Sequence, residues 1–154
     1  MSIHDPQKLA ECLKGKNVLL VAGQLCVDVD FGEKKLLDYV VEIGNKINAP
    51  IAATGNTPKP LKEKGAKLIQ KAWAAEIMNF MRWPWEYPVI DKKPDILVLM
   101  GYGPSMAQGL VSSVKDGKTM VLGNTLVKEA DYSLEGFSSL SNWQESLEKF
   151  VQAL

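Results

Sequence analysis

The chain has little of what most enzyme chemistry draws on. Among its 154 residues there is one histidine, His4, and there are two cysteines, Cys12 and Cys26. A zinc or iron–sulfur centre takes three or four Cys or His ligands from its protein, so this chain cannot assemble one by itself. A Ser-His-Asp or Cys-His mechanism would have to recruit His4 from a terminus that usually frays, and a solvated imidazole is the expectation there. The two cysteines read as buried or half-buried thiols, because a reducing compartment disfavours a disulfide between them. Neither sign of charge is in excess, with 18 basic and 18 acidic residues, which removes any general electrostatic pull toward nucleic acid or an anionic membrane. Long apolar runs are missing too. The longest, Val18 to Ala22 and Ile96 to Met100, have five residues, where a membrane span needs about 20. The opening Met1-Ser2-Ile3-His4-Asp5-Pro6 has neither the basic nor the apolar region of a secretory signal. A cytoplasmic location is therefore expected, with no nucleic acid or membrane partner.

What is present alternates between short apolar runs and amphipathic stretches. Asp5 and Pro6 suit the start of a short helix and Gly15 its stop. Asn17 to Ala22, Ile51 to Thr54, Asp95 to Met100 and Lys118 to Leu122 read as strands, the first and third covered on both faces because their apolar residues run on without alternation. A further short strand is expected near Asp131 to Leu134. Helical period predicts Gly32 to Lys46, a second helix from about Ala66 to Arg82 with Ile69, Trp73, Ile77 and Phe80 inward, and a third from Ser105 to Lys115 with Met106, Leu110 and Val114 inward. The last helix opens at Ser141, with Gln144 completing a capping box. This alternation predicts one α/β domain over residues 1–154, in three layers around a mostly parallel sheet of five or six strands. The second strand lies beside the first on one side, and the later strands continue on the other. The order then reverses next to the first strand, where open α/β sheets bind ligands.

Glycines follow four of the strands, at Gly23, Gly55, Gly101 and Gly123. Gly101-Tyr102-Gly103-Pro104-Ser105 opens a helix whose free N–H groups suit a phosphate, with Gly103 for close approach and Ser105 for a hydroxyl contact. Gln24 and the pairs Asn56-Thr57 and Asn124-Thr125 stand on the same edge. Two readings stay open: a nucleotide or flavin crevice, or glycines that only make turns. The strict three-glycine dinucleotide fingerprint is absent. Asp28 and Asp30 form no evident acid–base pair and read as solvated loop residues.

Trp73 to Tyr87 holds five of the 12 aromatic residues and the only arginine, Arg82. Trp, Tyr and Arg dominate protein–protein hot spots. Arg82, Trp83, Trp85 and Tyr87, in a stretch that Pro84 and Pro88 keep from being helix, are the candidate interface. An exposed sheet edge would also let the isolated chain pair with itself.

The skeleton Lys16-Asn17-Val18-Leu19-Leu20-Val21-Ala22-Gly23, Pro50-Ile51-Ala52-Ala53-Thr54-Gly55 and Pro94-Asp95-Ile96-Leu97-Val98-Leu99-Met100-Gly101 resembles the middle domain of thiamine-diphosphate enzymes, a six-stranded Rossmann-like fold that often holds FAD. With the Pro50 to Gly55 stretch and the Trp83-Pro84 pair, the whole chain is similar to the epsilon subunit of archaeal acetyl-CoA decarbonylase/synthase complexes, the carbon monoxide dehydrogenase component. That resemblance implies a Rossmann-like domain and a place in an α2ε2 assembly with a large nickel–iron–sulfur subunit. It implies no metal ligands from this chain and no catalytic residues. It leaves stabilisation of the assembly, or help in passing electrons to a flavin, as the contribution. FAD is thus the one cofactor to consider. The Gly-Asp-Gly motif of thiamine enzymes is absent, as are the catalytic histidine within the fold and the four-cysteine zinc site of sirtuin-like deacylases.

Overall fold

The computed structural model describes residues 4–82, 85 and 92–154. At its centre β1 (Val18–Ala22) pairs in parallel with β4 (Ile96–Met100), from Val18 opposite Ile96 to Ala22 opposite Met100, and every residue of both strands is buried. The unbroken apolar runs are explained by two covered faces. Val18, Leu20, Ala22, Ile96, Val98 and Met100 pack into one layer, while Leu19, Val21, Leu97 and Leu99 pack into the other. Burying a side chain of this size stabilises the fold by about 1.5–3 kcal/mol.

Four more strands complete the sheet: β2 (Ile51–Ala53), β3 (Ile69–Lys71), β5 (Lys118–Val121) and β6 (Tyr132–Ser133). The order is β3-β2-β1-β4-β5-β6 and every pairing is parallel. This is the doubly wound Rossmann order, and it reverses between β1 and β4. One face is covered by α1 (Pro6–Cys12), α3 (Leu36–Ile47) and α7 (Leu140–Gln152), the other by α5 (Ala74–Phe80) and α6 (Pro104–Ser113). Two short helices, α2 (Leu25–Asp28) and α4 (Pro58–Glu63), follow β1 and β2.

Several local expectations need correction. The stretch Ala66 to Arg82 is not one helix. Ile69–Lys71 instead adds an edge strand in register with Ile51–Ala53, and only Ala74–Phe80 is helical. The i, i+4 spacing of Ile69 and Trp73 is coincidental, and Trp73 is 68% exposed. The helix expected from Gly32 starts at Leu36, because Gly32 has φ +113° and accompanies an Asp30–Lys35 bridge. Met106, expected inward, is exposed, while Leu110 is buried. The cap of α7 is Ser139, whose hydroxyl accepts from the Asn142 N–H at 3.2 Å, rather than Ser141. His4 is held as well: its Nδ1–H donates to the Ser133 carbonyl at 2.9 Å.

A polar network ties α7 to α3 and to the loop before it. The buried Tyr39 donates its phenol hydrogen to Glu148 at 2.7 Å and accepts from Gln144 at 3.0 Å. Lys34 pairs with Glu42 at 2.8 Å and with Glu148 at 3.0 Å. The Tyr39 hydrogen bond, joined by Lys34, holds the Glu148 carboxyl below its ordinary range, while burial and then the Glu148 bond push Tyr39 up to about 12. A lowered carboxyl contributes stability above its unfolded pKa, and the contribution is lost as pH falls through the folded value. A raised phenol contributes below its unfolded pKa, and the contribution is lost as pH rises toward 12. Glu148→Gln should therefore cost at most about 1 kcal/mol at pH 7, because the pair is half-exposed and screened. It should also flatten the acid limb between pH 5 and pH 3. Denaturation midpoints across that window check this, and parallel acid limbs in the two proteins would refute it.

Candidate functional site

The loops that leave the carboxyl ends of β1, β2, β4 and β5 carry the candidate ligand residues, and the chain packs them tightly. Gly23 and Gly101 lie back to back at the point where the strand order reverses. A Cβ on Gly23 would come within 2.5 Å of the Gly101 carbonyl and 2.8 Å of the Tyr102 ring. A Cβ on Gly101, which has φ +87°, would come within 2.4 Å of Cys26 Sγ. Backbone bonds close the contact: Gly23 N–H donates to the Met100 carbonyl at 2.8 Å, and Leu25 N–H donates to the Gly101 carbonyl at 2.9 Å. The first turn of α2 is thereby drawn over the end of β4, and the Cys26 thiol donates to the Met100 carbonyl at 3.3 Å. Burial pushes that thiol up to about 12, so it carries no thiolate at neutral pH.

Tyr102 completes this arrangement. Thr54 donates its hydroxyl hydrogen to the Ala22 carbonyl at 2.7 Å, which leaves its oxygen to accept from the Tyr102 phenol, also at 2.7 Å. The phenol thus bridges from the β4 loop to the end of β2, across the front of β1. Burial pushes it up to about 12, and it stays a neutral hydrogen-bond donor. Sequence reasoning missed Tyr102 and Thr54. The one available signal was the aromatic residue set between Gly101 and Gly103, where a ligand-binding turn would keep its side chains small.

The other candidates divide into two sets. Gln24, Gly55, Asn56, Ser105 and Asn124 are exposed on this edge. Gly103 caps α6 with nothing within 4 Å of where a Cβ would stand, so that helix start is open. Thr57, by contrast, is fully buried and donates its hydroxyl to the Thr54 carbonyl at 2.7 Å. Gly123 has only ordinary contacts beyond 3.6 Å. Of the two acids, Asp30 accepts from Gly32 N–H at 2.8 Å in a local turn. Exposed apolar residues also follow the strands on this edge: Leu25, Trp73, Met106 and Leu140.

Arg82 and Trp85, the described members of the aromatic segment, belong to the opposite edge, just past the end of α5. They are therefore separated from the glycine loops by the length of the strands, about 17 Å for five residues. Arg82 is exposed and donates from Nε to the Ser113 carbonyl at 3.2 Å. Trp85 is half-buried, edge-on to Phe80 with ring centroids 6.2 Å apart. Trp83 and Tyr87 lie outside the described residues. Among the described residues, no group of three or more His, Cys, Asp or Glu side chains is gathered as a metal site, and no helix is long and apolar enough to cross a membrane.

No protein-family model matches the chain. Three curated proteins are similar to it, among them two of one name. The acetyl-CoA decarbonylase/synthase complex subunit epsilon 1 of Methanosarcina barkeri is 27% identical over 158 aligned positions, covering 97% of this chain and 87% of that protein. The subunit of the same name from Archaeoglobus fulgidus is 31% identical over 114 positions, covering 71% of this chain and 59% of that protein. Among solved structures, a candidate NADPH:quinone reductase from Mesorhizobium loti aligns with 98% of this chain and 47% of its own, at 17% identity and TM-score 0.45. A candidate oxidoreductase from Mycobacterium abscessus aligns with 97% and 48%, at 18% identity and TM-score 0.42. The chain spans about half the length of either structure, and likeness at this level carries no functional argument. The resemblance to epsilon subunits, read from the strand-and-glycine skeleton, is borne out by the two curated relatives.

Proposed function

We propose that this chain, a relative of the epsilon subunits of acetyl-CoA decarbonylase/synthase complexes, is a non-catalytic accessory subunit of such a complex. It acts in the cytoplasm as one domain, docked on the large nickel–iron–sulfur subunit in an α2ε2 assembly. The observation that carries the reading is similarity over 97% of the chain to a protein named as that subunit. Docking uses Arg82, Trp83, Trp85 and Tyr87, because that segment joins the only guanidinium of the chain to three large aromatic rings. Arg82 and Trp85 lie on the edge away from the glycine loops, which would leave those loops accessible in the complex.

The contribution to electron transfer is to hold the large subunit in place for its flavin-bearing acceptor. This reading gives the chain no FAD of its own: a dinucleotide's pyrophosphate would lie between the loops after β1 and β4, and those loops touch, with the Cβ position of Gly23 2.5 Å from the Gly101 carbonyl and 2.8 Å from the Tyr102 ring.

The test is an anaerobic pull-down from lysate of the source cells with this chain as bait, followed by mass spectrometry and metal analysis. Retention of a large nickel- and iron-bearing protein is expected. It should be lost with Trp83→Ala combined with Trp85→Ala, since two hot-spot truncations together remove about 4 kcal/mol or more, a 10³-fold loss of affinity. A folded bait that retains nothing would sink the proposal. A second reading, a stand-alone flavin- or nucleotide-binding electron carrier, is favoured by the reversal of strand order at β1 and β4. Micromolar binding of FAD by the isolated chain would support that reading over the first.

A further inference from the structure

A cavity of about 590 Å³ lies at the edge of the sheet opposite the glycine loops. It opens beneath the amino ends of β1 and β2, between the ends of α1 and α3. Ala10, Leu13, Val18, Ile47, Ala49 and Pro50 make an apolar floor, and Lys14, Lys16 and Lys92 stand around it with Asn17 and Asn48. No Asp or Glu lines it, and Leu154, the last residue of the chain, completes the lining. Ion pairs elsewhere in the chain engage Lys34, Lys64, Lys93, Lys118 and Lys149, but among the described residues none engages these three lysines. A chain with no net charge thus brings three lysines without an ion-pair partner to the lining of one cavity, whose volume is in the range of small-molecule sites.

We propose that this cavity binds a small amphiphilic anion, a molecule with an apolar body of about ring size and a phosphate or carboxylate head. The apolar body lies on Leu13, Val18, Ile47 and Pro50, and the head meets the lysines. The competing explanation is that Lys14 and Lys16 only offset the negative end of α1, where cations are favourable in any helix. That explanation accounts for neither Lys92, which enters from the segment before β4, nor the apolar floor. The proposal is independent of the docking reading and would stand if that reading failed.

The experiment titrates the full chain with phenyl phosphate and follows methyl resonances by NMR, with inorganic phosphate and benzyl alcohol as single-property controls. Phenyl phosphate should shift the methyls of Leu13, Val18 and Ile47 and bind at least about tenfold more tightly than either control. Raising the salt should weaken it. Lys14→Gln with Lys16→Gln and Lys92→Gln should weaken it by about tenfold or more while the spectrum stays folded. Three results would overturn the proposal: equal affinity for inorganic phosphate, shifts scattered away from these methyls, or a folded triple variant that binds as well as the parent. A variant that loses thermal stability but keeps its affinity would support the helix-end explanation instead. Should the triple variant fail to fold, Lys92→Gln alone, outside any helix, carries the same expectation at about threefold.

Discussion

Gly101→Ala is expected to destabilise the chain by about 3–5 kcal/mol, enough to threaten a domain whose total stability is about 5–15 kcal/mol. Two costs combine. The backbone has φ +87°, where a side chain costs about 1–2 kcal/mol. The added carbon would also lie 2.4 Å from Cys26 Sγ and 2.8 Å from both Cys26 N and the Gly23 carbonyl. Those neighbours are backbone or fully buried and cannot yield cheaply, so α2 would have to lift from the end of β4. Gly103→Ala, two residues on, is the control. Its φ is −64° and nothing stands within 4 Å, so the cost should stay below about 1 kcal/mol, the ordinary penalty for alanine at a helix cap. Urea unfolding of both variants decides the matter. Similar midpoints would mean that the contact between the β1 and β4 loops does not organise this edge.

Phe150→Ala should cost about 3–5 kcal/mol, the usual range for deleting a fully buried aromatic ring. Phe150 is 0% exposed, and with Leu147 and Trp143 it packs α7 onto the layer built by Leu9, Tyr39, Val40 and Ile43. Leu140→Ala, in the first turn of the same helix, should stay within about 0.5 kcal/mol because Leu140 is half exposed. Thermal and urea denaturation of the pair would show whether α7 closes that face. If the two variants lost the same stability, fraying of the helix rather than its packing would be setting the cost.

The fold was legible wherever burial leaves a mark on sequence. Val18 to Ala22 and Ile96 to Met100 are apolar at every position because both faces are covered, and no solvated strand would read that way. The stripe of α7 was equally plain, since a surface helix has one buried side. The candidate site was less so. Glycine marks a backbone that needs room or a positive φ, but it does not say what enters the room. At Gly23 and Gly101 the neighbour is the chain itself, through Tyr102 and Cys26, and that contact joins residues that are far apart in sequence. The misreading of Ala66 to Arg82 has the same origin. A three-residue edge strand is too short to show a period, and pairing with β2 decides it.

By itself, then, the sequence determined the layered α/β class, the strand that would be central, the scarcity of metal ligands and the family resemblance. Each of these depends on composition or on the local period of burial. Only the tertiary structure decided that Tyr102 and Thr54 close the point where the strand order reverses. Only it put Arg82 and Trp85 on the opposite edge and brought Lys14, Lys16 and Lys92 to the lining of one cavity. Those arrangements arise between residues far apart in the chain, 48 positions for Thr54 and Tyr102, and such contacts leave no periodic trace in the sequence that makes them.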